Sequence, residues 1–330
     1  MKKTQRVLRV IFILSFIISQ FFGLSNVETI SAKEKLKVGI LQPVEHTSFN
    51  FAREGFMAGL EEAGYKDGDN LKITYLNANG DTASLQTMAE SLVRDNDYLL
   101  AIGTPSIQTL ANVTKDKPIF FTAVSDPKGA GVIKDLEHPG GNITGTSNLN
   151  PIASQIELMI DTVPEAKRIG IMYNAGEANS IFQVEKATEI MKEKGLEPVL
   201  ETVATSNDVS QVADKLVREV DAIFLVTDNT TTSAINLIGE KAKQDKVPVF
   251  GGANDIIADN GLATYGLDYF ELGKQTADML LKSIKEEIKP GDMPVEYAKN
   301  LKLEVNRDFA DAIGIDPDSI KEPKKVEVKH

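Results

Sequence analysis

The second half of this chain repeats the first in the same order, and that repeat limits the folds open to it more than any other feature. Lys167 to Tyr173 echoes the apolar run Lys37 to Leu41, and Phe182 through Met191 to Gly195 echoes Phe56 to Gly64. Asp221 to Asp228 echoes Asp97 to Thr104, and Val247-Pro-Val-Phe-Gly-Gly-Ala253 echoes Lys117-Pro-Ile-Phe-Phe-Thr-Ala123. In the first copy, strands are predicted at 37–41, 71–76, 98–102 and 118–123. Thr47 or Ser48 is expected to cap a helix whose Phe56, Leu60 and Ala63 recur at helical spacing before Gly64; further helices are predicted at 82–94 and 106–113. Such alternation predicts an α/β fold: two doubly wound parallel-sheet lobes whose strand-end loops face each other across a cleft.

At 330 residues and 42% hydrophobic content, the chain exceeds the usual size of a single core. The first lobe is expected to take residues 33–150 and about 254–290, the second 151–253 and about 291–320, followed by a charged tail at 321–330. The extended segment at Asn150-Pro151, leading into a helix at 152–163, is the first predicted crossing between lobes. A strand at 262–266 and a helix at 270–287 are expected to return to lobe one, and 295–305 to form a last pair of crossing strands before a helix at 307–313. Three crossings let two rigid lobes rotate about a few loop residues.

Residues 1–32 read as an export segment, cleaved after Ala32 or kept as an anchor. Lys2, Lys3, Arg6 and Arg9 precede the apolar run Val10 to Phe22, and Ile30-Ser31-Ala32 offers a small-residue cleavage site. The rest of the chain is then expected at the outer face of the cytoplasmic membrane. The sequence has no cysteine, and its three histidines, His46, His138 and His330, are scattered, so no metal site and no cofactor are expected. A net charge of -12 disfavours a nucleic-acid partner. A repressor of this architecture would carry a helix-turn-helix where the export segment stands. No nucleophile elbow or metal spacing occurs, and Pro139-Gly140-Gly141-Asn142 reads as a turn rather than a phosphate loop, so no enzyme activity is expected.

Ligands of open parallel sheets bind outside the carboxyl ends of the strands. The loops predicted there are 42–46, 103–106, 124–127 and 144–148. Gly103-Thr-Pro, Val124-Ser-Asp-Pro127-Lys-Gly-Ala-Gly131, Asn142-Ile-Thr-Gly-Thr-Ser147 and Leu225-Val-Thr-Asp-Asn229, behind an export signal, resemble the ABC-transporter substrate-binding family. The branch they resemble includes tryptophan- and tyrosine-binding proteins of Firmicutes. The resemblance runs from roughly Leu36 to Ile315, and the string Ser-Asp-Pro-x-Gly-Ala-Gly is its most specific part. The lipoprotein cysteine of many members is absent here. The resemblance implies a type I periplasmic-binding fold and a monomer that closes around an aromatic amino acid, L-tryptophan first, and serves ABC permease subunits. Another small solute, such as a branched-chain amino acid, a nucleoside or a sugar, stays open as an alternative, as does a receptor-coupled sensor.

Under that reading a buried amino acid needs both of its charges satisfied. Donors for the carboxylate are sought in the turn Gly103-Thr104-Pro105-Ser106, in Ser125, and in Asn179 and Ser180, although such residues also cap helices. For the ammonium group Asp228 is the first acceptor and Glu177 the second; Asp228 is also a good helix cap, and Asp126 is an alternative that equally suits a turn. Gln42, Ser147 and Asn229 complete the candidate contacts. Phe49, Phe51, Phe182 and Tyr265 are candidates for an aromatic slot, although each also suits a core.

Overall fold

The computed structural model describes residues 35–323. The expected export segment at 1–32 and residues 324–330 of the expected tail lie outside the described residues. Among the described residues no helix is long and apolar enough to cross a membrane.

Two six-stranded sheets form the framework. The first contains β1 (Leu36–Gln42), β2 (Leu71–Asn77), β3 (Tyr98–Ile102), β4 (Ile119–Thr122), β5 (Ile143–Ser147) and a late strand, β11 (Glu296–Tyr297), in the order β11-β5-β4-β3-β1-β2. The second contains β6 (Arg168–Tyr173), β7 (Glu197–Thr202), β8 (Ala222–Leu225), β9 (Val249–Gly251), β10 (Ala263–Leu267) and β12 (Leu301–Val305), in the order β12-β10-β9-β8-β6-β7. The strand order is the same in both, as the sequence repeat predicts. Pairing is parallel, for example Leu36 opposite Leu71 and Arg168 opposite Glu197, except where β12 runs antiparallel to β10. The inner strands β4, β8, β9 and β10 are buried along their whole length, as parallel strands covered on both faces must be.

Helices α1 (Thr47–Glu62), α2 (Thr82–Asp95) and α3 (Thr104–Val113) belong to the first copy. The second holds α4 (Ile152–Thr162), α5 (Ala178–Glu193), α6 (Ser206–Leu216), α7 (Asn229–Ser233), α8 (Ile235–Asp245) and α9 (Asn254–Asn260); α10 (Tyr269–Glu286) and α11 (Arg307–Ile313) follow. The cap of α1 is His46 rather than Thr47 or Ser48: its backbone is extended, and its side chain accepts from the Phe49 N–H at 3.4 Å.

The chain passes between the sheets three times, at places that partly differ from those expected. Strand β10 does not return to the first lobe. Its fully buried run Ala-Thr-Tyr-Gly-Leu suits an inner position, and it pairs with β9 and β12 in the second sheet. The return falls at Asp268, which caps α10 by accepting from Phe270 and Glu271 N–H. Helix α10 then packs against α1 at glycine contacts: a Cβ on Gly55 would lie 1.9 Å from the Phe270 carbonyl oxygen, and one on Gly273 2.0 Å from that of Ala52. Residues 291–297 likewise sit with the first sheet rather than the second. Thr144 donates to the Met293 carbonyl at 2.8 Å, and Glu296 pairs opposite Thr146. The last crossing is therefore 298–300.

Candidate functional site

At the carboxyl ends of the strands, residues from both lobes line a cavity of about 710 Å3. Its apolar lining includes Pro43, Val44, Leu85 and Pro105 from the first lobe, and the rest is mainly amide and hydroxyl. Among the described residues that line it there is no lysine, arginine, histidine or aromatic side chain.

The first-lobe wall is built around the start of α3. Gly103 precedes the helix with φ +79° and no side-chain cap, and Pro105 fills the first turn without an N–H. A Cβ at Gly103 would come within 2.5 Å of the buried Phe49 ring, so glycine is required for the ring and the helix to pack this closely. The hydroxyls of Thr104 and Ser106 are buried and have no hydrogen-bond partner. Unused hydroxyls beside an uncapped helix N-terminus are chemically suited to a carboxylate, because the helix end carries unpaired N–H groups and partial positive charge.

The second-lobe wall carries the two expected carboxylates, in different roles. Asp228 is fully buried; its oxygens accept from the Asn174 and Thr231 N–H groups, each at 2.7 Å, so it caps α7 and ties down the loop after β6. Asp228 does not line the cavity, and its role is the capping alternative. Glu177 does line it, accepting from the Asn229 N–H at 3.1 Å, the Thr230 N–H at 3.2 Å and the Thr230 hydroxyl at 2.8 Å. Burial, and then the charge of Asp228, push its pKa up to about 7. Beside it Asn179 also lines the cavity; its amide donates to the Thr227 carbonyl at 3.0 Å, while its carbonyl oxygen is buried without a partner.

Beyond the cavity lining, the lobes are joined by buried polar contacts. The Ser125 hydroxyl accepts from Gln183 Nε2 at 2.9 Å, donates to Asn148 Oδ1 at 3.0 Å and lies 3.3 Å from the Thr227 hydroxyl. Asn148 in turn donates to the Tyr269 hydroxyl at 2.6 Å. Ser48 donates to Asp255 across the cleft. His46 faces Asn229 of the other lobe; its ring nitrogen Nε2 is buried, and desolvation pushes its pKa down to about 3, against the Asn229 side chain.

Of the candidates read from the sequence, Thr104, Pro105, Glu177, Asn179 and Asn229 line the cavity, and Ser106 and Ser180 lie next to those residues. Ser180 accepts from Asn179, and Ser125 belongs to the cross-lobe network. Three others act as braces: Gln42 donates to the Val44 carbonyl at 3.0 Å, Asp126 accepts from the Gly129 N–H at 2.8 Å, and Ser147 donates to the Ser125 carbonyl at 3.1 Å. The expected aromatic slot does not form from the four rings proposed for it. Tyr265 and Phe49 are buried, Phe51 is exposed, and Phe182 lies under the Lys186 ammonium at 4.9 Å. Gln183, Asn148, Thr227, Asp255 and Tyr269 were missed. Asn254-Asp255 carried a signal, since it directly follows the β9 segment at a strand's carboxyl end.

Comparison with known proteins identifies the family. Residues 37–326 match the ABC transporter substrate binding protein family. A tyrosine-binding protein of Clostridioides difficile (strain R20291) is 38% identical over 289 residues, 87% of this chain and 83% of that protein. Among solved structures, an ABC domain from Streptococcus pneumonia in complex with L-Trp superposes with a TM-score of 0.83 at 35% identity, covering 88% of this chain and 99% of that one. The ligand-free, open structure of a Clostridium difficile substrate-binding protein with adhesive properties gives 0.67 at 37% identity, covering 89% and 100%. These relatives bind solutes and are not enzymes. With the family match spanning nearly all of the described residues, the chain belongs to the ABC transporter substrate-binding protein family.

Proposed function

We propose that this chain is the extracytoplasmic solute-binding component of an ABC uptake transporter and that it closes around a free aromatic amino acid, L-tryptophan first. The observation that carries this reading is the unequal pair of cavity walls. The unused Thr104 hydroxyl on the cavity wall, at a helix N-terminus with the buried Ser106 hydroxyl behind it, suits a carboxylate, and the partnerless Asn179 oxygen backed by Glu177 suits an ammonium group. A lining without lysine or arginine fits a zwitterion better than an anion. Pro43, Val44, Leu85 and Pro105 give the side chain an apolar bed. The relatives that bind tyrosine and L-Trp support the aromatic class.

Binding works by closure. A ligand held by both walls stabilises the closed arrangement by its differential affinity, and the membrane permease recognises that arrangement. The cross-lobe bonds of Ser125 and Ser48 belong to a closed form. In support, superposition is better on the L-Trp complex than on the open, ligand-free relative at nearly equal sequence identity.

Calorimetric titration of the ligand-free protein with the common amino acids tests the reading. Saturable binding of tryptophan, tyrosine or phenylalanine at one site per chain is expected. Heat only with a sugar or a nucleoside would overturn the ligand class.

A further inference from the structure

His46 ends the loop after β1 and caps α1, a duty more often given to Ser, Thr, Asp or Asn. The cap fixes its tautomer. Nδ1 accepts from the Phe49 N–H, so in the neutral ring the proton sits on Nε2. That nitrogen is buried and faces the Asn229 side chain of the second lobe, and among the described residues nothing pairs with it in hydrogen-bond geometry. The ring also lies against buried Phe49, with 3.9 Å between ring centroids. His46 does not line the cavity. It stands behind Asn229, which does, and whose backbone N–H and side-chain amide both donate to Glu177.

A second proton on this ring conflicts with the closed contact in two ways. It would land on Nδ1 and end the cap, setting one N–H against another. It would also place a full charge where the second lobe shuts out water. No neighbouring carboxylate offsets that charge. Glu45, next in the chain, is exposed and accepts from Asn50, while Arg53 on α1 donates to Gln42 and lies over the Tyr75 ring. Across the cleft Glu177 is taken up by Asn229 and Thr230, Asp228 by Asn174 and Thr231, and Asp255 meets Ser48. Among the described residues none of them forms an ion pair with the ring. Burial therefore holds the His46 pKa down at about 3 in the closed arrangement, against an ordinary value of 6.5. Opening carries Asn229 away, lets water reach the ring and restores the ordinary value. Between those two values the closed form binds fewer protons than the open one, so a fall in pH below 6.5 favours opening, by about tenfold per unit.

We propose that His46 is a proton-operated release: acid at the outer face charges the ring, the charged ring cannot stay in the closed contact, and the lobes part and give up the solute. The inference rests on the transport reading above and assigns regulation of that site to a residue outside the cavity wall.

The test is calorimetric titration of the purified protein with L-tryptophan, L-tyrosine and L-phenylalanine from pH 8 to 5. His46→Asn keeps an acceptor for the cap and removes the titrating ring. It should match the wild type to within about threefold at pH 8, whereas by pH 5 the wild type should have lost about 30-fold more affinity than the variant. The ratio of the two proteins cancels the titration of Glu177 and of the solute. His138→Asn, at an exposed histidine, should follow the wild type throughout. NMR titration of carbon-labelled histidine in the wild type checks the same point without a variant: bound solute should move the charging of the His46 ring to lower pH by more than about one unit. Equal losses in wild type and His46→Asn, or a ring that charges at the same pH with and without solute, would overturn the release and leave solute binding standing. A wild type that binds none of the three solutes at any pH would overturn the transport reading, and the release with it.

Discussion

In the first lobe the helix facing the cleft opens with two hydroxyls that no other group among the described residues uses, whereas in the second lobe the carboxylates near the cleft are wrapped by backbone N–H groups and side-chain donors. The scaffolds beneath are alike. Gly39 and Gly170 hold the same place in β1 and β6, and a Cβ on either would come 2.9 Å from a side chain at the end of the helix covering the sheet, the C-cap Asn96 in one lobe and Leu216 in the other. The duplicated unit thus fixes where strand ends meet, and in the proposed function the loops divide the work, with Thr104 serving the carboxylate on one wall and Asn179 and Glu177 the ammonium group on the other. A zwitterion that needs both walls is held only when the lobes are together.

The strongest way to break this contrast is to remove the donors. On the proposed binding mode, Thr104→Ala with Ser106→Ala deletes two hydrogen bonds to a charged group, at roughly 1.5 to 3 kcal/mol each, so affinity should fall about 100-fold or more. The melting temperature should barely move, because neither hydroxyl has a partner among the described residues. Asp228→Ala tests the opposite wall and should act on folding. It strips a buried cap from Thr231 and leaves the Asn174 N–H unpaired, costing about 2 to 3 kcal/mol in denaturant unfolding.

Acidity sharpens the comparison further. Burial and the neighbouring Asp228 charge push the Glu177 pKa up to about 7, so below that pH the protonated carboxyl is favoured. An ammonium group beside it favours the charged form, so binding releases a proton and affinity should rise about tenfold from pH 6 to 8, then level off. The same raised pKa means the folded chain holds more protons than the unfolded one between its ordinary value, 4.5, and about 7, so the contribution of Glu177 to stability falls as pH rises through that window. Titrations in buffers of different ionisation heat would count the proton, and Glu177→Gln should flatten the pH profile. Smallest in effect is Ser125→Ala. Loss of its bond with Gln183 loosens closure by about 1 kcal/mol, giving roughly fivefold faster ligand dissociation in stopped-flow experiments.

The framework was legible because it is written twice: apolar runs such as Lys37 to Leu41 and Lys167 to Tyr173 have one use in a parallel sheet. Lobe membership of the last third was not. The strand at 263–267 and the two-residue strand at 296–297 choose their sheets through contacts far away in sequence, with β9 and β12 in one case and with β5 in the other. Strand-end position was enough to expect Thr104, Glu177 and Asn179 along the cavity they line, because a loop at a sheet's carboxyl edge has few other places to point. It could not separate Glu177 from Asp228, since both are acids before helices and only the three-dimensional path shows which one is consumed as a cap. Gln183 lies in the body of a helix, and its reach to Ser125 in the other lobe exists only once the lobes meet.

The division of charge between the walls is tested most directly by comparing L-tryptophan with tryptamine, which lacks the carboxylate, and indole-3-propionate, which lacks the ammonium group, in calorimetric titrations of the same protein. The account predicts tight binding of L-tryptophan at one site and a loss of about 100-fold or more for each analogue, as one wall is left unpaired. Tryptamine or indole-3-propionate binding as tightly as L-tryptophan would contradict it.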